Sequence, residues 1–182
     1  MENLTPFIQG KKIYLREVRH SDVSDDYYNW LNDPEINQYL ETRYIPQSKE
    51  MISDFIHSKK SEPFFAICCN NTHKHIGNIK LSILNNIHRR ADLSLLIGDK
   101  NYWGKGIATE SICLTSDFAF SQLNINKIQA GAYHLNISSI KAFEKAGYQQ
   151  EGLLKEFAFS KNQALHLVYL GLTRTEYYSN KL

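Results

Sequence analysis

The chain has 182 residues, of which 42% are hydrophobic and 22% charged. That length and composition fit one globular domain and argue against a disordered or collagen-like chain. Lys and Arg number 21 against 19 Asp and Glu, a formal charge of +2, which argues against a protein that grips nucleic acid by neutralising phosphates, or one drawn to an anionic membrane. No stretch approaches the roughly 18 consecutive apolar residues of a membrane-spanning helix. Met1–Gly10 lacks the basic-then-apolar pattern of a signal peptide, so no leader is expected.

Lys11–Val18 reads as a first strand with Ile13 and Leu15 apolar. Ser21 or Asp22 is placed to cap a helix carrying Val23, Tyr27, Trp30 and Leu31, the spacing of one helical face, and Asp33-Pro34 ends it. A second helix follows Gln47, with Ile52, Phe55 and Ile56 on one side. Phe64–Cys69 is continuously apolar, as a strand covered on both faces is, and Asn70-Asn71 turns the chain. The next strand sets Gly77, Ile79, Leu81 and Ile83 against Asn78, Lys80 and Ser82. After Asn85-Asn86, the strand Ala91–Ile97 sets Leu93, Leu95 and Ile97 against Asp92, Ser94 and Leu96. A glycine-containing loop leads into a helix over Ile107–Gln122, with Ile107, Ala108, Ile112, Leu114, Phe118 and Ala119 on its apolar side. Lys127–Tyr133 is a strand, and Asn136–Ala146 is a short helix capped by Asn136 and stopped by Gly147. Strands near Tyr148–Phe159 and Ala164–Leu172 are joined by Lys161-Asn162-Gln163. This order predicts a single α/β (α+β) domain over residues 1–182. Its central mixed, mostly antiparallel sheet has about six or seven strands and is flanked by about four helices.

Cys68 and Cys69 are adjacent and Cys113 stands apart. Strand neighbours point to opposite faces, so no disulfide is expected, and the three read as free, buried thiols of a reduced, cytoplasmic protein. His73 and His75 flank Lys74 in a turn; with no carboxylate or thiol at ligand spacing they read as solvated, and no metal is expected.

Trp103-Gly104-Lys105-Gly106-Ile107-Ala108-Thr109 lies between a strand and a long helix. Glycines let the backbone approach a ligand closely, and the first amides of a helix are unpaired and sit at its positive end. Such a loop can cradle a pyrophosphate. It lacks the Gly-Lys-Ser/Thr of a Walker loop and the third glycine of a dinucleotide fingerprint. One helix and one strand later comes Asn136-Ile137-Ser138-Ser139-Ile140-Lys141-Ala142-Phe143-Glu144-Lys145-Ala146-Gly147-Tyr148.

The two segments at this spacing resemble the GNAT superfamily of acyl-CoA-dependent N-acetyltransferases. The loop matches the family's Q/R-x-x-G-x-G/A motif with Trp103 in the place of Gln/Arg. The second segment resembles its Asn-x-x-Ser/Ala-x-x-x-Tyr-x-Lys-x-Gly-Phe stretch, and the likeness runs from about Tyr14 to Leu172. The resemblance implies the GNAT fold and acetyl-CoA as co-substrate. Backbone groups of Leu95, Leu96 and Ile97 would pair with the pantetheine arm like another strand. Trp103, Gly104, Lys105, Gly106, Ile107, Ala108 and Thr109 would surround the pyrophosphate. Asn136 would bind pantetheine or cap its helix, and Lys145 would lie near the 3′-phosphate or stand solvated beside the helix end.

The implied reaction is direct attack of an amine on the acetyl thioester. An alkylammonium with a pKa near 10.4 must first lose a proton, and Asp92 with Ser94 could position a water for this; Asp92 could instead pair with Arg89 or Arg90. A backbone N–H around Leu96 would stabilise the oxyanion. The family's usual acid, a Tyr, is here Phe143, which carries no proton. Of Ser138, Ser139, Tyr133 and Tyr148, Ser139 is placed first, one helical turn before Phe143. Ser138 and Ser139 could equally cap the helix, and the lost Tyr also leaves open a non-catalytic acyl-CoA-binding module.

Asn85–Asp92, with His88, resembles the matching stretch of spermidine acetyltransferases. That group carries the Tyr this chain lacks, however, and polyamines need carboxylates, where the N-terminal third offers Glu35 and Glu41 but also Arg43; the chain more closely resembles the ribosomal-protein-acetylating branch and the amino-sugar acetyltransferases. The aromatic stretch of Tyr27, Tyr28, Trp30, Tyr39 and Tyr44 with Arg43 suits an amino sugar or a nucleotide-linked amino sugar, although Tyr27 and Trp30 also suit a helix core. Arg43, Tyr44, Trp30 and His88 are therefore the candidate acceptor contacts. A polyamine or a protein N-terminal amine is the alternative acceptor, and a homodimer is left open.

Overall fold

The computed structural model describes residues 5–160 and 162–179. Among these, eight strands and six α-helices follow in chain order: β1 (Ile8–Gln9), β2 (Ile13–Glu17), α1 (Asp25–Asn32), α2 (Pro34–Asn37), α3 (Lys49–Ser58), β3 (Phe64–Cys69), β4 (His75–Asn85), β5 (Arg90–Ile97), α4 (Ile107–Ser121), β6 (Lys127–Tyr133), α5 (Ile137–Lys145), β7 (Gln149–Ser160), β8 (Gln163–Thr173) and α6 (Arg174–Ser179). The strands are hydrogen-bonded in the order β1-β2-β3-β4-β5-β6-β8-β7. β5 and β6 pair in parallel, whereas β1–β2, β2–β3, β3–β4, β6–β8 and β7–β8 pair antiparallel. The mixed, mostly antiparallel sheet is as expected, with one strand more than the upper expected count: the two-residue β1 is too short to show a period. The short helices α2 and α6 are also additional. Lys161 of the final turn lies outside the described residues.

The described residues pack as two compact units, one within 5–80 with Leu95–Ser111 and the other within Leu81–Ser94 with 112–160 and 162–179. In the first, Tyr27, Trp30, Ile52 and Ile56 form a buried cluster joined by Val18, Val23, Leu31, Ile36, Phe64 and Leu96. The cap of α1 differs from expectation. Ser24, not Ser21 or Asp22, accepts from the Tyr27 N–H at 3.2 Å. Asp22 is committed elsewhere: its two carboxylate oxygens each take a nitrogen of the buried Arg16 at 2.7 Å. Asp33 ends α1 and caps α2, accepting from Glu35 N–H at 2.8 Å. Phe55 faces outward from α3 and meets Phe64 edge-on.

In the second unit the inner side of α4 departs from the expected pattern. Thr115 and Ser116 are buried along with Ile112, Ala119 and Phe120, while Leu114 and Phe118 are half-buried. The Ser116 hydroxyl has a partner, the buried Tyr148 hydroxyl at 2.8 Å, whereas the buried Thr115 hydroxyl has no hydrogen-bond partner among the described residues. Cys68 and Cys69 are buried free thiols as expected, whereas Cys113 on α4 is exposed.

Candidate active site

The glycine loop is built by local geometry. Asp99 caps the turn Lys100–Tyr102 by accepting from Asn101 N–H at 3.0 Å. Gly104 and Gly106 adopt φ of 70° and 79°, the left-handed region that side chains resist. A Cβ on Gly104 would meet nothing within 4 Å, so glycine serves the backbone angle there rather than room. The first helical hydrogen bond runs from Glu110 N–H to Gly106 C=O at 3.0 Å. The amides of Ile107, Ala108 and Thr109 therefore precede any carbonyl the helix could offer them. With the helix dipole behind them they fit an anion such as a pyrophosphate.

The loop is tied to β5. The Trp103 indole N–H donates to the Ile97 carbonyl at 2.8 Å, which occupies part of the backbone expected to pair with a pantetheine arm. Leu95, Leu96 and Ile97 are half-buried, and the Leu96 side chain joins the Trp30 cluster. Gly77 makes room for β5: a Cβ there would lie 2.3 Å from the Leu96 carbonyl oxygen.

Two residues of this region went unnoticed in the sequence. The Lys12 ammonium donates to the Lys105 carbonyl at 2.8 Å. Glu110 Oε1 accepts from the Lys11 and Lys12 amides at 2.6 and 2.9 Å. Nothing in their spacing signals the contact, because about a hundred residues separate the partners.

The second unit carries the candidate acid. Asn136 Oδ1 accepts from Ser139 N–H at 3.2 Å and Ser138 Oγ at 3.0 Å, so it caps α5. Ser139 is half-buried, and Lys145 is exposed in the last turn of α5. Phe143 is buried with its ring edge-on to Tyr148, 5.1 Å between centroids. Burial first, then the charges of Cys113 and Asp92, push the Tyr148 phenol well above its ordinary range, which the Ser116 hydrogen bond only partly opposes. Tyr148 is thus held protonated and tied to a partner. Asp92 is half-buried and Ser94 exposed on β5. Arg89, one of the two arginines considered for Asp92, donates to Asn124 Oδ1 at 3.1 Å.

Of the four acceptor candidates, Trp30 is only 5% exposed and belongs to the core, where Gly98 leaves space for its ring. Arg43 lies 4.2 Å above the Tyr44 ring, donates to the Tyr44 hydroxyl and to Leu40 C=O at 2.7 Å, and faces Glu41. Tyr44 is 56% exposed. His88 is exposed in the β4–β5 turn, its N–H donating to Asn85 Oδ1 at 2.8 Å.

His75 corrects the expectation of solvated turn histidines. His73 is exposed, but His75 is enclosed, 2.9 Å from Asn78 Oδ1 and edge-on to Tyr27 and Trp30. It begins a strand rather than ending a turn. Among the described residues no cluster of three metal-ligating side chains occurs, and no helix is long and apolar enough to cross a membrane.

Comparison with known proteins places this geometry. A family model for the acetyltransferase (GNAT) domain matches residues 12–149. An uncharacterized N-acetyltransferase, p20 of Bacillus licheniformis, is 28% identical over 166 residues, covering 88% of this chain and 91% of the relative. The spermidine N(1)-acetyltransferase of Escherichia coli K12 is 28% identical over 128 residues, covering 70% of this chain and 67% of its own. Among solved structures, spermidine N-acetyltransferase from Vibrio cholerae in complex with CoA and spermine superposes with a TM-score of 0.82 at 24% identity, covering 93% of this chain and 99% of the other. A GNAT-family acetyltransferase from Bacillus anthracis gives 0.82 at 18% identity, covering 92% and 98%. With its family model spanning most of the chain and its fold shared with these enzymes, the chain belongs to the GNAT family and is an acetyl-CoA-dependent N-acetyltransferase.

Proposed function

We propose that the enzyme acetylates the primary amine of a small molecule, an amino sugar or nucleotide-linked amino sugar, by direct attack with both substrates bound. The amides from Gly104 to Thr109 hold the pyrophosphate of acetyl-CoA, backbone groups of Leu95–Ile97 hold its pantetheine arm, and Asn136 and Lys145 supply further contacts. Asp92 and Ser94 position the water that takes the amine's proton, and a backbone N–H near Leu96 receives the oxyanion. Ser139 is the acid, with its hydroxyl left over after its amide has gone to Asn136. A thiolate leaving group with a pKa near 8.5 needs little help, so Ser139→Ala should lower kcat by about tenfold or less.

The observation that carries the acceptor class is the state of the carboxylates in the first unit. Asp25 pairs with Lys49, Asp26 with Lys74, Asp33 and Glu35 with Lys100, and Glu41 with Arg43. Surface pairs add little to stability, but these neutralise charge that a polycation would seek. The exposed Tyr44, with the Arg43 guanidinium over one face of its ring, instead offers an aromatic surface suited to a sugar. A polyamine acceptor is the second reading, favoured by the relatives named as spermidine acetyltransferases.

Steady-state thiol release with acetyl-CoA and a panel of amines tests this. The expected outcome is kcat/KM for an amino sugar or its nucleotide conjugate at least tenfold above that for spermidine or spermine. The reverse order would establish the polyamine instead.

A further inference from the structure

We propose that Lys12 is a diphosphate-binding residue, the cation that completes the backbone cradle from outside the loop, which rests on the proposal that the loop holds the acetyl-CoA pyrophosphate. The turn between β1 and β2 exists to be held in place. Gly10 N–H donates to Ile13 C=O at 2.9 Å and closes it. On one side Asn70 donates through Nδ2 to the carbonyls of Gly10 and Lys11, both at 3.0 Å, while its N–H donates to Lys12 C=O at 3.0 Å. On the other side the Glu110 carboxylate takes the amides of Lys11 and Lys12. Both backbone groups of Lys12 are thereby fixed, and its side chain reaches the loop.

The ammonium arrives where the anion would sit. It rests on the Lys105 carbonyl, and lies 3.5 Å from the point a Cβ of Gly106 would occupy. One neutral carbonyl uses one of its three donors and leaves the others available. No ion pair engages Lys12 among the described residues, in contrast to Lys49, Lys59, Lys74, Lys100 and Lys127. An ammonium held at a glycine loop beside unpaired helix amides forms charge-assisted hydrogen bonds to phosphate oxygens.

Calorimetric binding of CoA, 3′-dephospho-CoA and pantetheine to the full chain, comparing wild type with Lys12→Met and Lys12→Arg, tests the assignment. The methionine keeps most of the unbranched stem without the charge and leaves the backbone bonds of residue 12 in place. The expected result is a CoA dissociation constant raised about tenfold in Lys12→Met, with dephospho-CoA weakened by the same factor and the preference for CoA over pantetheine reduced accordingly. The salt dependence of Kd for CoA should become weaker, and Lys12→Arg should recover most of the affinity. Equal weakening of CoA and pantetheine would mean that Lys12 only shapes the loop, and would overturn the proposal. So would a loss seen with CoA but not with dephospho-CoA, which would assign the charge to the 3′-phosphate. Unchanged CoA affinity in Lys12→Met beside a binding wild type removes Lys12 alone; a wild type that binds no CoA removes the cradle and Lys12 together.

Discussion

Asp22 gathers more polar contacts than any apolar-core position should tolerate. It takes both terminal nitrogens of Arg16 and the Arg19 amide at 2.7 Å, and stands 3.8 Å from His75 Nδ1. Burial pushes its carboxyl up, but the Arg16 guanidinium and the Arg19 N–H outweigh burial and hold it below its ordinary value. Asp22→Asn would leave the buried Arg16 without its counter-charge and should destabilise the fold by about 3–5 kcal/mol in denaturant titration. His75 in the same cluster is lowered, chiefly by burial, against the opposing charge of Asp22. An imidazole whose value falls on folding is held neutral in the fold and charges more readily unfolded. Its contribution is therefore present above the unfolded value of about 6.5 and is lost as pH falls through the lower folded one. Urea midpoints should decline on acidification below about pH 6.5, and His75→Gln should flatten that decline.

At the scale of elements, legibility follows how local the determinants are. β6 matches its expected span and α5 its cap, because alternation and an Asn before a helical run act within a few residues. β3 likewise follows from its unbroken apolar run, buried at five of six positions. The α1 cap was misplaced because Asp22 was claimed by Arg16, a partner on a strand. The inward Ser116 of α4 is not legible because a buried serine looks polar until its partner, Tyr148, is brought to it from beyond β6 and α5. The candidate site divides the same way: the glycine loop is a contiguous motif, whereas Lys12, Glu110 and His75 acquire meaning only when strands place them. Ser116→Ala should leave the buried Tyr148 hydroxyl without its partner, at a cost of about 1–3 kcal/mol in unfolding free energy. Ser138→Ala on the exposed end of α5 should stay within about 0.5 kcal/mol.

For the whole molecule, a net charge of +2 conceals how the charges are used. Lys49, Lys59, Lys74 and Lys100 of the first unit pair with neighbouring carboxylates, so the overall balance says little about the charge available at any one place. The end strand of the sheet, β7, is exposed along nearly its whole length and presents Leu153, Leu154, Phe157 and Phe159 to solvent. The chain also carries two tryptophans, in contrasting settings. Trp30 is sealed in the core, whereas Trp103 is 40% exposed and holds the glycine loop to Ile97. An indole in apolar surroundings emits at shorter wavelength than one in water, so the two signals separate in colour. Titration with CoA should alter the long-wavelength part of the emission, and Trp103→Phe should abolish that response while leaving the blue band of Trp30 to report unfolding. The side chain that fastens the loop thus doubles as an intrinsic optical gauge of its occupancy, readable without any label.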